Sequence, residues 1–156
     1  MRVYADSSFI LRLVTAEEDS PQVVAEYRRL RSPKLFYLPL HAFEVRNAIL
    51  QRAFHRRRSI SSGERRDIAR ERDAALGRLE NYLARRAFFE VTTDLEVAIS
   101  RASLLSAAHT ERIGARAIDL LHVAAALTLE SELFLTTDGR QAQLAKAEGL
   151  KVASVK

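Results

Sequence analysis

The chain has 156 residues, 47% of them hydrophobic and none of them cysteine, and a polypeptide of this length buries about 68–70% of its unfolded surface, so one domain with a real core is expected over residues 1–156. Without thiolates there is no disulfide and no cysteine-held zinc. No stretch nears the roughly 20 apolar residues that span a bilayer or has the profile of a secretory signal, so a soluble, cytoplasmic protein with no membrane contact is expected. Lys plus Arg is 25 against 20 Asp plus Glu, a net charge of +5, and the whole excess sits in residues 51–90, where 11 basic residues face 6 acidic ones.

The first strand, Arg2–Ala5, runs straight into Asp6, Ser7 and Ser8, after which Phe9, Ile10, Leu13 and Val14 repeat at helical spacing. Pro21–Leu30 reads as a helix and Lys34–Leu38 as the second strand. Pro39 suits a first helical position, and the helix it opens runs to about Arg57. Along it Glu44, Asn47 and Gln51 form a polar line, with Leu40, Phe43, Ile49 and Leu50 as the apolar side. The polar line is either a solvent face or the wall of a groove.

Ser61-Ser62-Gly63 punctuates the chain. Glu64–Arg86 is a long charged helix in which Arg66 and Arg70 repel at i,i+4, so packing rather than salt bridges is expected to support it. Residues 52–86 thus form a basic helical hairpin. Ala87–Val91 is the third strand. Asp94 caps the next helix, with Val97, Ala98, Leu104 and Leu105 on its inner side. Ala117–Glu130 is a further helix, Glu132–Leu135 the fourth strand, Asp138 or Gly139 opens the last helix, and Lys151–Ser154 is the fifth strand. Strands alternating with helices imply an α/β domain with a mainly parallel sheet, and in such sheets ligands bind outside the carboxyl ends of the strands.

Three acids are expected at that edge, and a fourth, Asp119, joins them if its helix packs against the sheet with its N-terminus there. Asp6 follows the first strand, Glu44 lies early in the helix after the second, Asp138 follows the fourth, and Asp119 begins the helix that feeds it. Singly, Asp6 and Asp138 read as helix caps, and Glu44 as an acid favoured by a helix N-terminus. Asp119 resists such a reading. From Ala117 to Ala126 only it and His122 are polar, so the helix is buried, and an unpaired carboxylate there would cost several kcal/mol. It must be protonated, paired or bound to a cation. His122 shares its face, and an Asp119–His122 hydrogen bond is the preferred reading over a ligand role.

Taken together, gathered carboxylates repel each other unless a cation intervenes. Oxygen ligands without Cys or paired His point to Mg²⁺ or Mn²⁺, whose waters and open positions suit phosphate chemistry. Of the 25 basic residues 21 are arginine, whose fork matches phosphate oxygens. A nucleic-acid partner and a solvated basic helix face both account for that excess.

The stretches YADSSFIL, FEVRNAI with Glu44, AIDLLHVAAAL with Asp119 and LFLTTDGRQAQLA with Asp138 together resemble the PIN-domain ribonucleases, most of all the VapC toxins of toxin–antitoxin pairs. The resemblance spans nearly the whole chain. It implies a three-layer sandwich with a five-stranded sheet in the order 3-2-1-4-5. It implies a Mg²⁺/Mn²⁺ pocket of Asp6, Glu44, Asp119 and Asp138, with Asp6, Asp119 and Asp138 ligating most directly and Glu44 completing the shell or positioning a water. By the same pattern Ser7 and Thr136 are its supporting residues, Thr137 being the competitor of Thr136 for the inward position, and Asn47 on the polar line beside Glu44 is a further supporting candidate. It also implies cleavage of single-stranded or loop RNA, a homodimer, and a neutralising antitoxin protein. Arg46, Arg52 and Arg56 are candidates to grip RNA or that antitoxin, and His122 is given no catalytic role.

Two other classes compete. A catalytically inactive RNA- or protein-binding module on the same fold would use the basic helices alone. A Mg²⁺ phosphohydrolase of the haloacid-dehalogenase kind would need a second Asp two residues after Asp6, where Ser8 stands, and no Gly-rich phosphate loop is present.

Overall fold

The computed structural model describes residues 1–59 and 65–155. Its elements in chain order are β1 (Val3–Ala5), α1 (Ser7–Val14), α2 (Ser20–Arg29), β2 (Leu35–Tyr37), α3 (Pro39–Arg58), α4 (Arg65–Ala84), β3 (Phe88–Glu90), α5 (Leu95–Ile113), α6 (Ala117–Thr128), β4 (Leu133–Thr136), α7 (Gly139–Ala147) and β5 (Lys151–Ser154). All five strands run parallel, in the order β3-β2-β1-β4-β5, as the resemblance implied. The Ser61-Ser62-Gly63 punctuation and Glu64 lie outside the described residues.

Period-two alternation splits the strands between two cores. Val3, Ala5, Leu35, Tyr37 and Leu135 face α1–α4, packing with Phe9, Ile10, Val23, Val45, Ile49, Ala75 and Leu79. Tyr4 and Phe134 face the opposite way, onto α5–α7, where Leu105, Leu120, Val123 and Leu144 meet them. β1 is the central strand and its three residues are fully buried. With helices on both faces, polar groups reach ligands only at the strand ends, which is why the sheet edge carries the site.

Local chemistry sets the helix starts. Asp6 caps α1, accepting from the Phe9 N–H at 2.9 Å. Asp94 caps α5 through the N–H groups of Glu96 and Val97, as expected. At α3, Pro39 occupies the first turn, and the Leu38 N–H donates to His41 Nδ1 at 2.9 Å. His41 Nε2 in turn donates to the Ala5 carbonyl at 2.9 Å, tying α3 to the end of β1. Burial, reinforced by His122, pushes the His41 imidazole well below its ordinary value, so it stays neutral as this bonding requires. α5 ends at Gly114, whose φ of 69° is the left-handed conformation that closes a helix.

Two inner faces differ from expectation. On α5 the core-facing stripe is Ala98, Leu105 and His109, whereas Val97 and Leu104 are 46% and 73% exposed. Neighbouring residues on a helix point about 100° apart, and α6 and α7 cover only one direction. On α3 the buried line is His41, Val45, Ile49 and Ala53, whereas Phe43 and Leu50 are 70% and 51% exposed. α3 packs against α1 and α4, and Phe43 and Leu50 lie off that contact. The hairpin itself is α3 against α4, so it starts at Pro39 and not near 52. Ion pairs do cross it, Arg46 to Glu80 and Arg56 to Glu71, beside the packing of Ala75 and Leu79.

Candidate active site

The site assembles where β1 and β4 end together. The Asp6 N–H extends the β1–β4 ladder by donating to the Leu135 carbonyl at 2.9 Å, which fixes its side chain at the sheet edge. Its two oxygens have separate duties. Oδ1 serves the cap and also accepts from Ser8 Oγ at 2.7 Å, while Oδ2 accepts from Thr136 Oγ1 at 2.6 Å. Burial raises the Asp6 carboxyl, against the stabilising pull of His122, Thr136, Ser8 and the Phe9 N–H.

Thr136 ends β4 and is fully buried, so it takes the inward position, donating to Asp6 and accepting from the Asp138 N–H at 2.9 Å. Thr137 bonds Ser8 Oγ with both its N–H and its hydroxyl. Asp138 repeats the division of labour seen at Asp6. Oδ1 caps α7 through the N–H groups of Arg140 (2.7 Å) and Gln141 (3.1 Å), and Oδ2 lies 3.5 Å from the Arg116 guanidinium. Capping and site membership were rival readings of these two aspartates. The structure satisfies the cap with one oxygen of each and leaves the other for its neighbours.

Asp119, only 1% exposed, is paired. Oδ2 accepts from the Arg116 backbone N–H at 2.9 Å and from its Nε at 3.2 Å, and Oδ1 accepts from Gln141 Nε2 at 3.3 Å. The expected Asp119–His122 bond is therefore corrected. At the third helical position Asp119 turns back onto the helix start, where an unsatisfied N–H awaits it. His122 instead bridges the buried Tyr4 hydroxyl (Nδ1, 2.8 Å) and Glu44 Oε2 (Nε2, 2.5 Å). Burial pushes the Tyr4 hydroxyl well above its ordinary value, so it keeps its proton and can donate to Nδ1.

Glu44 also accepts from Ser7 Oγ at 2.8 Å, through the same Oε2. Burial works to raise its carboxyl, but His122, Ser7 and the Arg116 charge outweigh that and hold it below the ordinary range. Glu44 is turned into the site while Asn47 and Gln51 are exposed, so its polar line is a solvent face beyond the first residue. Of the three arginines singled out, Arg46 pairs with Glu80, Arg52 with Glu17 at 2.5 Å and Arg56 with Glu71. All three are engaged within the chain.

Asp6, Asp119 and Asp138 are thus linked at one edge by Thr136, Arg116 and Gln141, while Glu44 is held beside them by Ser7 and His122, and the four do not close around a point. Among the described residues, no three His, Asp or Glu side chains are grouped closely enough to hold a metal ion. Each carboxylate is drawn to a protein donor instead. The donor set nevertheless fits a hard cation, being made of carboxylate oxygens with no thiolate. Gln141, buried against Asp119, leaves Oε1 with no hydrogen-bond partner among the described residues, an acceptor waiting for a water or an ion. The positive charge between Asp119 and Asp138 is supplied by Arg116.

Sequence reasoning missed Ser8, Arg116 and Gln141 and undervalued His122. Signals for three existed. Ser8 lies two residues after a capping Asp, Gln141 lies three after Asp138 on the same first turn, and Arg116 precedes Asp119 by three, within helical reach. Nothing local pairs His122 with Tyr4 or Glu44, 118 and 78 residues away.

No curated protein matches the chain. The sequence does match the PIN domain family over residues 3–147, nearly its whole length, with all four acids inside the match. On that match and on the parallel sheet that carries it, the chain belongs to the PIN domain family.

Proposed function

We propose that this PIN-domain protein is a Mg²⁺- or Mn²⁺-dependent endoribonuclease, the toxin of a type II toxin–antitoxin pair acting in the cytoplasm on single-stranded or loop RNA. PIN domains are generally nucleases. The observation that carries the finer reading is one connected acidic edge. Asp6, Asp119 and Asp138 lie within a single hydrogen-bonded set, a guanidinium bridges two of them, and a buried Gln141 oxygen beside them is unpartnered.

Asp6, Asp119 and Asp138 would hold the ion, with Glu44 completing the shell or orienting a water. Such an ion supplies Lewis-acid polarisation of a phosphoryl oxygen and a more acidic water. The chain's own residues then divide the remaining work. Thr136 and Ser8 fix the Asp6 carboxylate, and Asp138 is fixed by its cap. His122 and Ser7 both bind Glu44 Oε2 and keep the group anionic, able to accept a hydrogen bond from water.

RNA contact through Arg46, Arg52 or Arg56 would require phosphate to replace a carboxylate partner. Phe43, Leu50 and Phe54 are exposed at i, i+7 and i+11 of α3, a stripe consistent with a homodimer or an antitoxin. Among the described residues no helix is long and apolar enough to cross a membrane.

The test is to map cleavage ends in total RNA with and without EDTA, for the wild type and Asp6→Asn. Asn is as good a cap as Asp, so the variant keeps its fold, shown by circular dichroism, and loses cleavage. Undiminished Mg²⁺-dependent cleavage by Asp6→Asn overturns the assignment. The second reading, a non-catalytic binding module, is favoured by one observation, that every acid already has a protein partner. RNA binding without any Mn²⁺ heat in calorimetry supports it.

A further inference from the structure

The Arg116 side chain is 66% exposed, yet its guanidinium contacts two of the four acids, Asp119 through Nε at 3.2 Å and Asp138 through a terminal nitrogen at 3.5 Å, and its charge also reaches Glu44. It stands at the N-cap of α6 with extended backbone, so the side chain leaves the helix toward the sheet edge. Arg140, two residues from Asp138, gives its guanidinium to the Gly114 carbonyl instead. Beside the bridged pair, Gln141 holds Asp119 with its Nε2, and its buried Oε1 has no protein partner among the described residues. The backbone N–H of Arg116 bonds Asp119 at 2.9 Å independently of the side chain, so the guanidinium can depart without opening the helix start.

We propose that Arg116 is a resident counter-cation of the acidic site, competing with a divalent ion for Asp119 and Asp138 and so setting the ion concentration at which the site fills. The inference rests on the metal-site reading above. Two cations cannot share two carboxylates without repulsion, and whichever binds lowers the affinity of the other by the same factor. Displaced from Asp119 and Asp138, the exposed Arg116 fork would be available to a substrate phosphate.

The experiment is calorimetric titration of the full chain with Mn²⁺, for the wild type, Arg116→Gln and Arg116→Lys, with thermal unfolding in EDTA and in Mn²⁺ as a second readout. Removing one unit charge beside a divalent ion at the protein surface lowers the Mn²⁺ Kd about tenfold. Arg116→Gln is therefore expected to bind Mn²⁺ about tenfold more tightly and to gain more Tm from Mn²⁺ than the wild type. Arg116→Lys, which keeps the charge, stays near the wild type. Wild-type binding with an equal or weaker Kd in Arg116→Gln overturns this inference and leaves the metal site standing. A structural cap alone gives that outcome, with a lower Tm in EDTA. Silence from all three proteins overturns the inference and the metal-site reading together.

Discussion

Tyr4, His122 and Glu44 form a line from the core to the site, in which Tyr4 bonds His122 and His122 bonds Glu44, which Ser7 also holds. Tyr4→Phe removes the hydroxyl and leaves one His122 nitrogen bare, at a cost of about 1 kcal/mol. His122→Leu leaves the buried Tyr4 hydroxyl unpartnered and Glu44 with Ser7 as its remaining donor, and costs about 1–3 kcal/mol. Urea unfolding in EDTA measures both, and a neutral His122→Leu would show that the line contributes nothing to the fold. Glu44 also makes a pH prediction. Its folded carboxyl sits below the ordinary value of 4.5, so its contribution is present above that pH and is lost as pH falls through the folded value. Glu44→Gln is expected to be less stable than the wild type at neutral pH, the gap narrowing in acid. Asp6 acts in the opposite sense. Its raised carboxyl favours the folded state as pH falls, so the two partly offset each other in the wild-type profile, and the variant isolates Glu44. Asp6 and Asp138 stood out in the sequence because they closely follow apolar strands, Asp119 because it is the lone carboxylate of an apolar helix, and Glu44 because it lies early in the helix after a strand. The long-range partners were not legible, because Tyr4 and Glu44 reach His122 only across the folded sheet, whereas Ser8, Arg116 and Gln141 lie within three residues of an acid.

At the scale of elements, α4 is attached by a few buried side chains. Leu79 is fully buried among Ala75, Val45 and Ile49, so Leu79→Ala is expected to cost about 2–5 kcal/mol, read from urea unfolding. The ion pairs across the same interface predict the contrary. Arg46–Glu80 and Arg56–Glu71 are about half exposed, so Arg46→Ala or Arg56→Ala changes stability by less than about 1 kcal/mol. A larger loss would make the pairs, and not the packing, the bond between α3 and α4. Helix existence and all five strands followed from periodicity and from Pro39, Asp94 and Asp138. The facing of α3 and α5 did not. Both carry apolar residues on more than one side, and only the neighbouring helices decide which of Val97 or Ala98, and which of Ile49 or Leu50, is covered.

At the scale of the molecule, one sheet separates two apolar cores, and its central strand β1 contributes Val3 and Ala5 to one and Tyr4 to the other. Neither core is complete without that strand. The chain is therefore expected to unfold in a single transition, with circular dichroism and hydrogen exchange of amides on both faces giving one midpoint. Separate midpoints would divide it into two cooperative units.

By itself the sequence determined the α/β class, the strand order through a family resemblance, and the acids that mark the carboxyl edge. These rest on short-range signals, namely apolar period, caps and residues directly following strands. Only the tertiary structure decided that capping and site duties fall on different oxygens of the same aspartates. It also decided that His122 serves Glu44 and that the positive charge between Asp119 and Asp138 is Arg116. Those facts depend on which side chains from β1, α3, α6 and β4 come within about 3 Å of each other, a distance at which hydrogen bonds form and which no spacing along the chain specifies.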